Sequence, residues 1–307
     1  MASPCPEYGA DMRFGLVGTG PWATMVHGPG LLEAENADLV GVWGRSADKA
    51  EALATSLGVT AYDDFDALLA DAEAIAFAVP PDVQADLAVP AARAGKHLLL
   101  EKPVAMDLDA ARAVRDAAAE AGVASLVFFT DRFIEGSRAW FQQVHSTEGW
   151  RGGWVRWFAS LQQDGNPFGG SAWRMQRGAL WDVGPHVLST MSAALGPIDS
   201  LEAVDGGGDL VTLVLRHETG ATTTASITLF APPAAEGFEA VVWGEAGLLP
   251  MPARPEEGGA GLFAAAADEL VAAVADGKPH ELDVVFGTRV VELLAEAQAQ
   301  LDAANAR

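Results

Sequence analysis

The feature that most constrains the fold of this chain is a glycine-rich turn near its start, Gly18-Thr19-Gly20-Pro21-Trp22-Ala23. It follows the apolar run Met12–Val17 and opens a helical pattern over Trp22–Ala34, which is the context of the G-x-G-x-x-G/A fingerprint. In that fingerprint the first glycine allows a tight turn, the second lets the backbone approach a pyrophosphate, and the helix N-terminus offers unpaired N–H groups. The turn therefore predicts dinucleotide binding on a parallel sheet. An ordinary turn between a strand and a helix is the alternative.

The first half of the chain alternates short apolar runs with helical patterns, which is typical of a doubly wound parallel sheet. Besides Met12–Val17, the predicted strands are Asp38–Trp43, Ala74–Val79, His97–Leu100 and Val123–Phe129. The predicted helices that follow Trp22–Ala34 are Ala47–Leu57, Asp64–Ala70, Gln84–Ala94 and Leu108–Ala121. We assign residues 1–127 to an α/β Rossmann domain, with residues 1–11 as a tail.

The pattern changes after Phe129. Alternating β-rich runs at Asp209–His217, Thr222–Leu229 and Phe238–Trp243 predict an antiparallel sheet covered on one face. Helical patterns at Gly261–Ala275 and Val284–Ala304 follow. Residues 128–307 are therefore assigned to an α+β domain for substrate binding and oligomerisation. Its start is rich in tryptophan, which favours sheet core or a subunit interface over a sugar-stacking platform.

Composition excludes several functional classes. The net charge of −23 repels nucleic acid and anionic membranes. Cys5 is the only cysteine, so a disulfide framework is excluded. No apolar run reaches the roughly 18 residues of a transmembrane helix, and the acidic start does not resemble a secretory signal. We expect a cytoplasmic protein.

The end of the second predicted strand bears on cofactor choice. An NAD site has an acid here that binds the ribose 2′-hydroxyl, whereas this chain has Arg45 and Ser46, with Lys49 one helical turn later. We interpret this as contact with the 2′-phosphate of NADP. A solvated helix start is the alternative, and NAD remains possible because Asp48 is near.

Two further motifs suggest acid–base chemistry. The strand at His97–Leu100 runs into Glu101-Lys102-Pro103, which places a lysine at the carboxyl end of the sheet, where ligands of such folds bind. Farther along, Asp182 and His186 are four residues apart and would share a helix face. A carboxylate beside an imidazole can orient it for proton transfer. A helix cap with a core histidine is the alternative. We predict no metal, because no third ligand is placed nearby.

These elements, in this order, resemble the Gfo/Idh/MocA oxidoreductase superfamily from about Arg13 to Ala304. The resemblance implies a Rossmann domain, an open and mostly antiparallel second sheet, a homodimer or homotetramer, and nicotinamide-dependent redox chemistry. It places the catalytic residues at Lys102, Asp182 and His186, and a cofactor-adjacent pair at Trp173 and Arg174. The cofactor-binding candidates are Gly18, Thr19, Gly20, Pro21, Trp22, Ala23, Arg45, Ser46, Lys49, Pro80, Glu101, Lys102, Trp173 and Arg174.

The chain departs from the family pattern in three places. Ser189 replaces a usual acid, Gln84 replaces a usual histidine, and the connection from Trp173 to Asp182 is a few residues short. All three are expected around the substrate cleft, where they affect substrate identity. No role is assigned to the histidines His27, His145, His217 and His280.

The function that follows is hydride transfer between NADP and a sugar, keto-sugar, cyclitol or related carbonyl or hydroxyl compound. Two alternatives are a non-catalytic cofactor-binding regulator and a nicotinamide-dependent glycoside hydrolase. Turnover without net cofactor reduction would identify the hydrolase.

Overall fold

Two six-stranded sheets form the frame of the molecule. The structure, a computed structural model, describes residues 11–161, 169–254 and 259–306. The sequence-predicted tail lies outside these residues, apart from Asp11. Within the described ranges, no helix has the length and apolar character that a membrane span requires.

The first sheet is parallel throughout and has the strand order β3-β2-β1-β4-β5-β6. This is the doubly wound order of a dinucleotide-binding fold, which confirms the predicted fold class. Its strands are β1 Met12–Val17, β2 Ala37–Trp43, β3 Thr60–Tyr62, β4 Ala74–Phe77, β5 His97–Glu101 and β6 Ser125–Phe128. The helices are α1 Gly28–Glu33, preceded by a π-helical turn Ala23–His27, then α2 Ala47–Leu57, α3 Phe65–Asp71, α4 Pro81–Arg93 and α5 Leu108–Ala121.

Local sequence explains most of these boundaries. Asp107 is the N-cap residue of α5, and its side chain accepts a hydrogen bond from the Ala110 N–H at 2.8 Å. Gly122, in the left-handed conformation, is the C-cap residue. Strand β4 ends at Phe77, two residues before its predicted end, because Pro80 and Pro81 follow. Helix α4 then starts at Pro81, earlier than predicted, since proline suits the first turn of a helix.

The second sheet has the order β12-β11-β7-β10-β9-β8. Only β7 and β10 pair in parallel, and every other neighbour is antiparallel, so the prediction of a mostly antiparallel sheet is confirmed. The strands are β7 Trp150–Phe158, β8 Ile198–Asp205, β9 Val211–His217, β10 Thr222–Thr228, β11 Gly237–Gly244 and β12 Gly247–Pro250. Helices α6 Glu135–His145, α7 Ala172–Asp182 and α8 Gly184–Leu195 belong to the same part of the chain.

The C-terminal helices are α9 Gly259–Asp276, which packs on α1 and strands of the first sheet, and α10 Val284–Asn305, which packs against elements of both sheets. Helix α9 lies on α1, where the Asp268 carboxylate accepts the Asn36 backbone N–H at 2.8 Å. Helix α10 packs on α5 and β8, and the Thr288 hydroxyl donates to the Ala111 carbonyl at 3.3 Å. Helix α10 therefore contacts both sheets, and the domain limits 1–127 and 128–307 stay a prediction.

Candidate active site

A cavity of about 800 Å³ opens at the carboxyl ends of β1, β4 and β5 and extends to α7, α8 and the residues after β12. Ligands of open α/β sheets bind at such a point, where the strand order reverses. Strands β1 and β4 are neighbours here, and the chain leaves them toward opposite sides. The sheet topology alone therefore marks this cavity as the candidate ligand site.

The glycine-rich turn forms one end of the cavity. Gly18 has φ +127°, and a Cβ on it would lie 2.4 Å from the Ala78 carbonyl oxygen, so only glycine fits. Gly20 is different, because a Cβ there would meet no protein atom within 4 Å, although the residue lines the cavity. Its open surface fits a backbone that a dinucleotide pyrophosphate approaches closely.

Arg45 lies at the same end of the cavity, just beyond β2. Its side chain is exposed and lines the cavity, and no hydrogen bond or ion pair of Arg45 occurs within the described ranges. Ser46 is the N-cap residue of α2, but its side chain makes no capping hydrogen bond. Lys49 and Asp48 are exposed in the first turn of α2 and do not line the cavity.

Glu101 links the glycine-rich turn to the residue before Lys102. Its Oε1 accepts hydrogen bonds from Trp22 Nε1 at 2.6 Å and from His27 Nε2 at 2.8 Å, while Oε2 accepts the Lys102 backbone N–H at 3.2 Å. The His27 ring is fully buried and stacks on Phe263 at 3.9 Å between centroids. The carboxylate therefore holds both ends of the π-helical turn against β5.

Gln84 is hydrogen-bonded to the backbone of the segment that contains Glu101 and Lys102. Its Oε1 accepts the Glu101 backbone N–H at 2.8 Å, and its Nε2 donates to the Glu101 and Val104 carbonyls at 2.8 and 3.1 Å. Gln84 is fully buried, and neither it nor Ser189 lines the cavity. These two departures are therefore buried outside the cavity lining, and their expected effect on substrate identity stays a prediction. Burial beneath the cleft makes Gln84 a support for the Glu101-Lys102-Pro103 backbone.

Lys102 and Asp182, which come from the two motifs with predicted acid–base chemistry, meet at the other end of the cavity. Lys102 Nζ donates to Asp182 Oδ1 at 3.1 Å and to the Asp182 carbonyl at 2.7 Å, and Arg174 Nε donates to Asp182 Oδ2 at 3.0 Å. Burial alone would raise the pKa of the Asp182 carboxyl, but the charges of Lys102 and Arg174 outweigh it and leave this pKa below its ordinary value. Asp182 is therefore a carboxylate that holds two cations.

His186 lies beside this cluster at the start of α8. Asp182 is the last residue of α7, and only Val183 separates α7 from α8. Asp182 and His186 both line the cavity, although they lie on two helices and not on one face of a single helix as predicted. The His186 ring packs near Trp157 at 5.3 Å between centroids. Burial, then the charges of Lys102, Arg254 and Arg174, hold the pKa of His186 well below its usual value. The imidazole is therefore neutral at neutral pH, and a neutral imidazole has one ring nitrogen that can accept a proton.

Arg254, which sequence reasoning missed, completes the wall near His186. Its guanidinium stacks on Trp157 at 3.9 Å and pairs with the buried Asp131. Arg254 lies 68 residues after His186 in a turn-rich segment, so no motif marks it. His27 was also missed, although its place in the helix that follows the glycine-rich turn could have suggested a residue facing the sheet.

Most of the sequence-predicted site residues line one cavity. They are Gly20, Pro21, Trp22, Arg45, Pro80, Glu101, Lys102, Trp173, Arg174, Asp182 and His186. Gly18, Thr19, Ala23, Ser46 and Lys49 do not line it; Ala23 is fully buried. Among the described residues, no cluster of His, Cys, Asp or Glu could hold a metal ion. The functional roles of all these residues stay predictions.

Comparisons with known proteins agree with this architecture. Residues 12–129 match the model of the oxidoreductase family with an NAD-binding Rossmann fold, GFO_IDH_MocA. The chain is 29% identical over 230 residues to a D-xylose 1-dehydrogenase (NADP(+)) of Haloferax volcanii, covering 72% of this chain and 70% of that enzyme. It is 35% identical over 124 residues to an inositol 2-dehydrogenase of Rhizobium meliloti, covering 40% of this chain and 37% of the relative. Several other curated relatives are likewise matched over about a third of their length.

Solved structures match over almost the whole chain. An oxidoreductase domain protein from Kribbella flavida superposes with a TM-score of 0.84 at 23% identity, covering 96% of this chain and 98% of that one. An oxidoreductase from Agrobacterium radiobacter, solved with NAD+, L-tartaric acid and magnesium, superposes with a TM-score of 0.82 at 18% identity, covering 97% and 98%. At such identities the likeness establishes the two-sheet fold.

Proposed function

We propose that this chain, whose residues 12–129 match the model of the Gfo/Idh/MocA oxidoreductase family, is an NADP-dependent dehydrogenase or reductase of a sugar, keto-sugar, cyclitol or related compound. The observation that carries this proposal is the shared cavity. Its one end has the glycine-rich turn and Arg45, and its other end has Lys102, Asp182 and His186. Cofactor and substrate would thus meet at the acid–base cluster.

The cofactor, His186, Lys102 and Asp182 each have a separate role in the proposed reaction. A bound nicotinamide supplies or takes the hydride. In the oxidative direction, neutral His186 accepts the hydroxyl proton of the substrate, so that alcohol and NADP+ give carbonyl, NADPH and a proton. Lys102 stabilises the negative charge that develops on the substrate oxygen. Asp182 fixes the Lys102 ammonium, to which it is hydrogen-bonded.

Two properties of Arg45 support the choice of NADP. A guanidinium binds phosphate through charge-assisted, bidentate hydrogen bonds, and Arg45 is exposed at the cavity without a described partner. The uncapped hydroxyl of Ser46 can donate another hydrogen bond. Asp48 does not line the cavity, so no carboxylate at this position is set to select the ribose 2′-hydroxyl. We expect NADP(H) to bind at least about tenfold more tightly than NAD(H), a difference of ~1.4 kcal/mol.

An NADP(H)-coupled absorbance screen tests the activity. The panel includes sugars, keto-sugars, cyclitols and simple aldehydes, and the Lys102→Ala variant is the control for site-dependent turnover. We expect reduction or oxidation of the nicotinamide with at least one compound. If calorimetry shows NADP binding while no compound gives turnover, the non-catalytic regulator is favoured instead.

Association through the second sheet is part of the same proposal. Trp243 and Leu248 are 41% and 65% exposed on β11 and β12, and their side chains share one face of a sheet because they pair directly. Exposed apolar residues on a sheet face are typical of subunit contacts. Light scattering after size-exclusion chromatography should give a dimer or tetramer. A 31.9 kDa species at micromolar concentration would contradict this.

A further inference from the structure

Helix α7 is interrupted at Gly178, four residues before Asp182. The backbone of Gly178 has φ +66° and ψ −164°, which is not helical, so residues 179–182 form a separate turn, here called the Asp182 turn. This turn carries both groups that hold Lys102, because Lys102 Nζ donates to the Asp182 side chain at 3.1 Å and to the Asp182 carbonyl at 2.7 Å. The place of the Lys102 ammonium therefore depends on the place of this turn.

Asp209 holds the start of the Asp182 turn from outside the helix. A new helical turn begins with backbone N–H groups that have no acceptor within the helix, and Asp209 Oδ1 accepts the Ala179 N–H at 2.9 Å. The other carboxylate oxygen, Oδ2, accepts the Leu229 N–H at 2.6 Å, directly after the interior strand β10. One carboxylate thus ties the Asp182 turn to the second sheet.

The chain on both sides of this contact is shaped to permit it. A Cβ on Gly178 would collide with Asp209 Oδ1, so a side chain at this position would push the carboxylate away. Asp209 itself lies in the short loop between β8 and β9, where the Gly206 N–H donates to the Leu210 carbonyl at 2.8 Å. A closed loop therefore presents the carboxylate to a glycine that leaves room for it.

The rest of the Asp182 turn is buried and has a second support. Ala179 is fully buried and Trp181 is 2% exposed, and Trp181 Nε1 donates to Gln298 Oε1 of α10 at 3.0 Å. Gln298 still holds the middle of the turn when Asp209 is replaced. We therefore expect loss of Asp209 to move the turn rather than to unfold it.

We propose that Asp209 is a positioning residue of the reaction, which fixes the Asp182 turn and, through Asp182, the Lys102 ammonium. This inference rests on the proposed function and adds to it a residue that does not line the active-site cavity. A misplacement of about 1 Å in a reacting group can lower a rate strongly. The carboxylate of Asp209 therefore affects the rate without contacting cofactor or substrate.

Steady-state kinetics and calorimetry of Asp209→Ala test the proposal. The variant loses both acceptor oxygens, so we expect kcat to fall about tenfold. The dissociation constant for NADP should change less than about twofold, because the glycine-rich end of the cavity is unaltered. Asp209→Asn keeps one acceptor oxygen, should lose less kcat, and serves if Asp209→Ala folds poorly. Unchanged kcat in both variants would overturn the proposal.

The matched control is Asp283→Ala. Asp283 is the N-cap residue of α10, and its carboxylate also accepts two backbone N–H groups, those of Val285 and Phe286, both at 2.9 Å. Asp209→Ala and Asp283→Ala should both lower the melting temperature, since each leaves backbone N–H groups without their acceptor. Only Asp209→Ala should lower kcat. An equal loss of kcat in both variants would show that Asp209 acts through general stability, and the proposal would be wrong.

A double-variant comparison asks whether Asp209 acts through Asp182. In the Asp182→Asn background, Asp209→Ala should lower kcat by less than about threefold, because Lys102 has already lost the charge that the turn positions. A role unrelated to Asp182 would give the same fold-loss in the wild type and in Asp182→Asn. That result would contradict the proposal.

Crystal structures distinguish this inference from the proposed function, because they need no turnover. In Asp209→Ala, the distance from Lys102 Nζ to the Asp182 carbonyl oxygen, 2.7 Å in the intact protein, should exceed about 3.5 Å, the limit of a hydrogen bond. A displaced lysine in a protein that turns over no compound would support the positioning and contradict the redox activity. Turnover by the wild type, with the lysine of Asp209→Ala in its original place, would support the redox activity and contradict the positioning.

Discussion

The two ends of the cavity are built in different ways. At the glycine-rich end, Gly20 and an exposed Arg45 line the cavity, and Arg45 has no hydrogen bond or ion pair within the described part of the chain. At the other end, Lys102, Asp182 and Arg174 form a partly buried, hydrogen-bonded cluster beside a neutral His186. The first end can bind an anion with little change in protonation. At the second end, the pKa values of Asp182 and His186 depend on the neighbouring cations. Shifted pKa values of this kind are common in sites that transfer protons.

The largest effects are expected at the second end. We predict that Lys102→Ala and His186→Ala each lower kcat by ~10²–10⁴-fold, which is the usual contribution of positioned proton transfer. The dissociation constant for NADP should change only several-fold, because the glycine-rich end is intact. Steady-state kinetics on an identified substrate and calorimetry with NADP measure the two quantities. Near-normal kcat in both variants would rule out this assignment.

Glu101 joins the two ends, so its replacement should affect both. Glu101→Gln keeps the shape of the side chain but weakens its hydrogen bonds to Trp22 and His27. Hydrogen bonds to a charged group contribute about 1.5–3 kcal/mol, and we expect the variant to weaken NADP binding and lower kcat together, each about tenfold. Glu73→Gln, at an exposed ion pair with Arg13, is the control. A change in only one of the two quantities would show that Glu101 does not couple them.

Asp182→Asn should change the pH dependence as well as the rate. Neutral His186 is the proposed base, so the rate of oxidation falls as the pH drops through the pKa of His186, which lies below its usual 6.5. Without the Asp182 charge, the positive charges of Lys102 and Arg174 are less compensated. They then disfavour the protonated, cationic form of His186 more strongly. The acidic limb of the kcat/KM profile should therefore move to lower pH, with about a tenfold loss in rate. An unchanged profile and rate would argue that Asp182 has no part in the chemistry.

The smallest effect is expected at the exposed end. Arg45→Ala should remove most of the preference for NADP(H) over NAD(H), or ~1.4 kcal/mol, and leave kcat with saturating cofactor unchanged. Calorimetric titration of both cofactors into the wild type and the variant measures this. Lys49→Ala, which lies outside the cavity, is the comparison. Equal or stronger binding of NAD(H) by the wild type would make the NADP assignment wrong.

Sequence reasoning worked best where the signal is local. The glycine-rich turn, the Glu101-Lys102-Pro103 segment and most strands of the first sheet were located from runs of a few residues. It missed β3, β7, β8 and β12. Strand β3 has only three residues, and β7 mixes tryptophan, glycine and arginine, with buried and exposed positions that do not alternate strictly. Its alternation is therefore weak.

The roles of Gln84 and Ser189 show the limit of reading a motif position as a site position. Both departures were expected around the cleft, and both are buried outside its lining. Gln84 instead satisfies buried backbone groups of the Glu101 segment. Which atoms a side chain meets depends on the packing of α4 against β5, and no local pattern contains that information.

The amino-acid sequence by itself determined the class of fold, the glycine-rich turn and the cationic end of β2. These features depend on the hydrophobic period, on glycine conformation and on residue charge, which are all properties of a few neighbouring residues. Tertiary structure alone decided that Glu101 binds Trp22 and His27, that Asp182 holds two cations, and that Arg254 is near enough to His186 to lower its pKa. These contacts join residues that are 68 to 80 positions apart in most cases. Their strength comes from burial, which removes water from around the charges and is a property of the folded chain rather than of any segment.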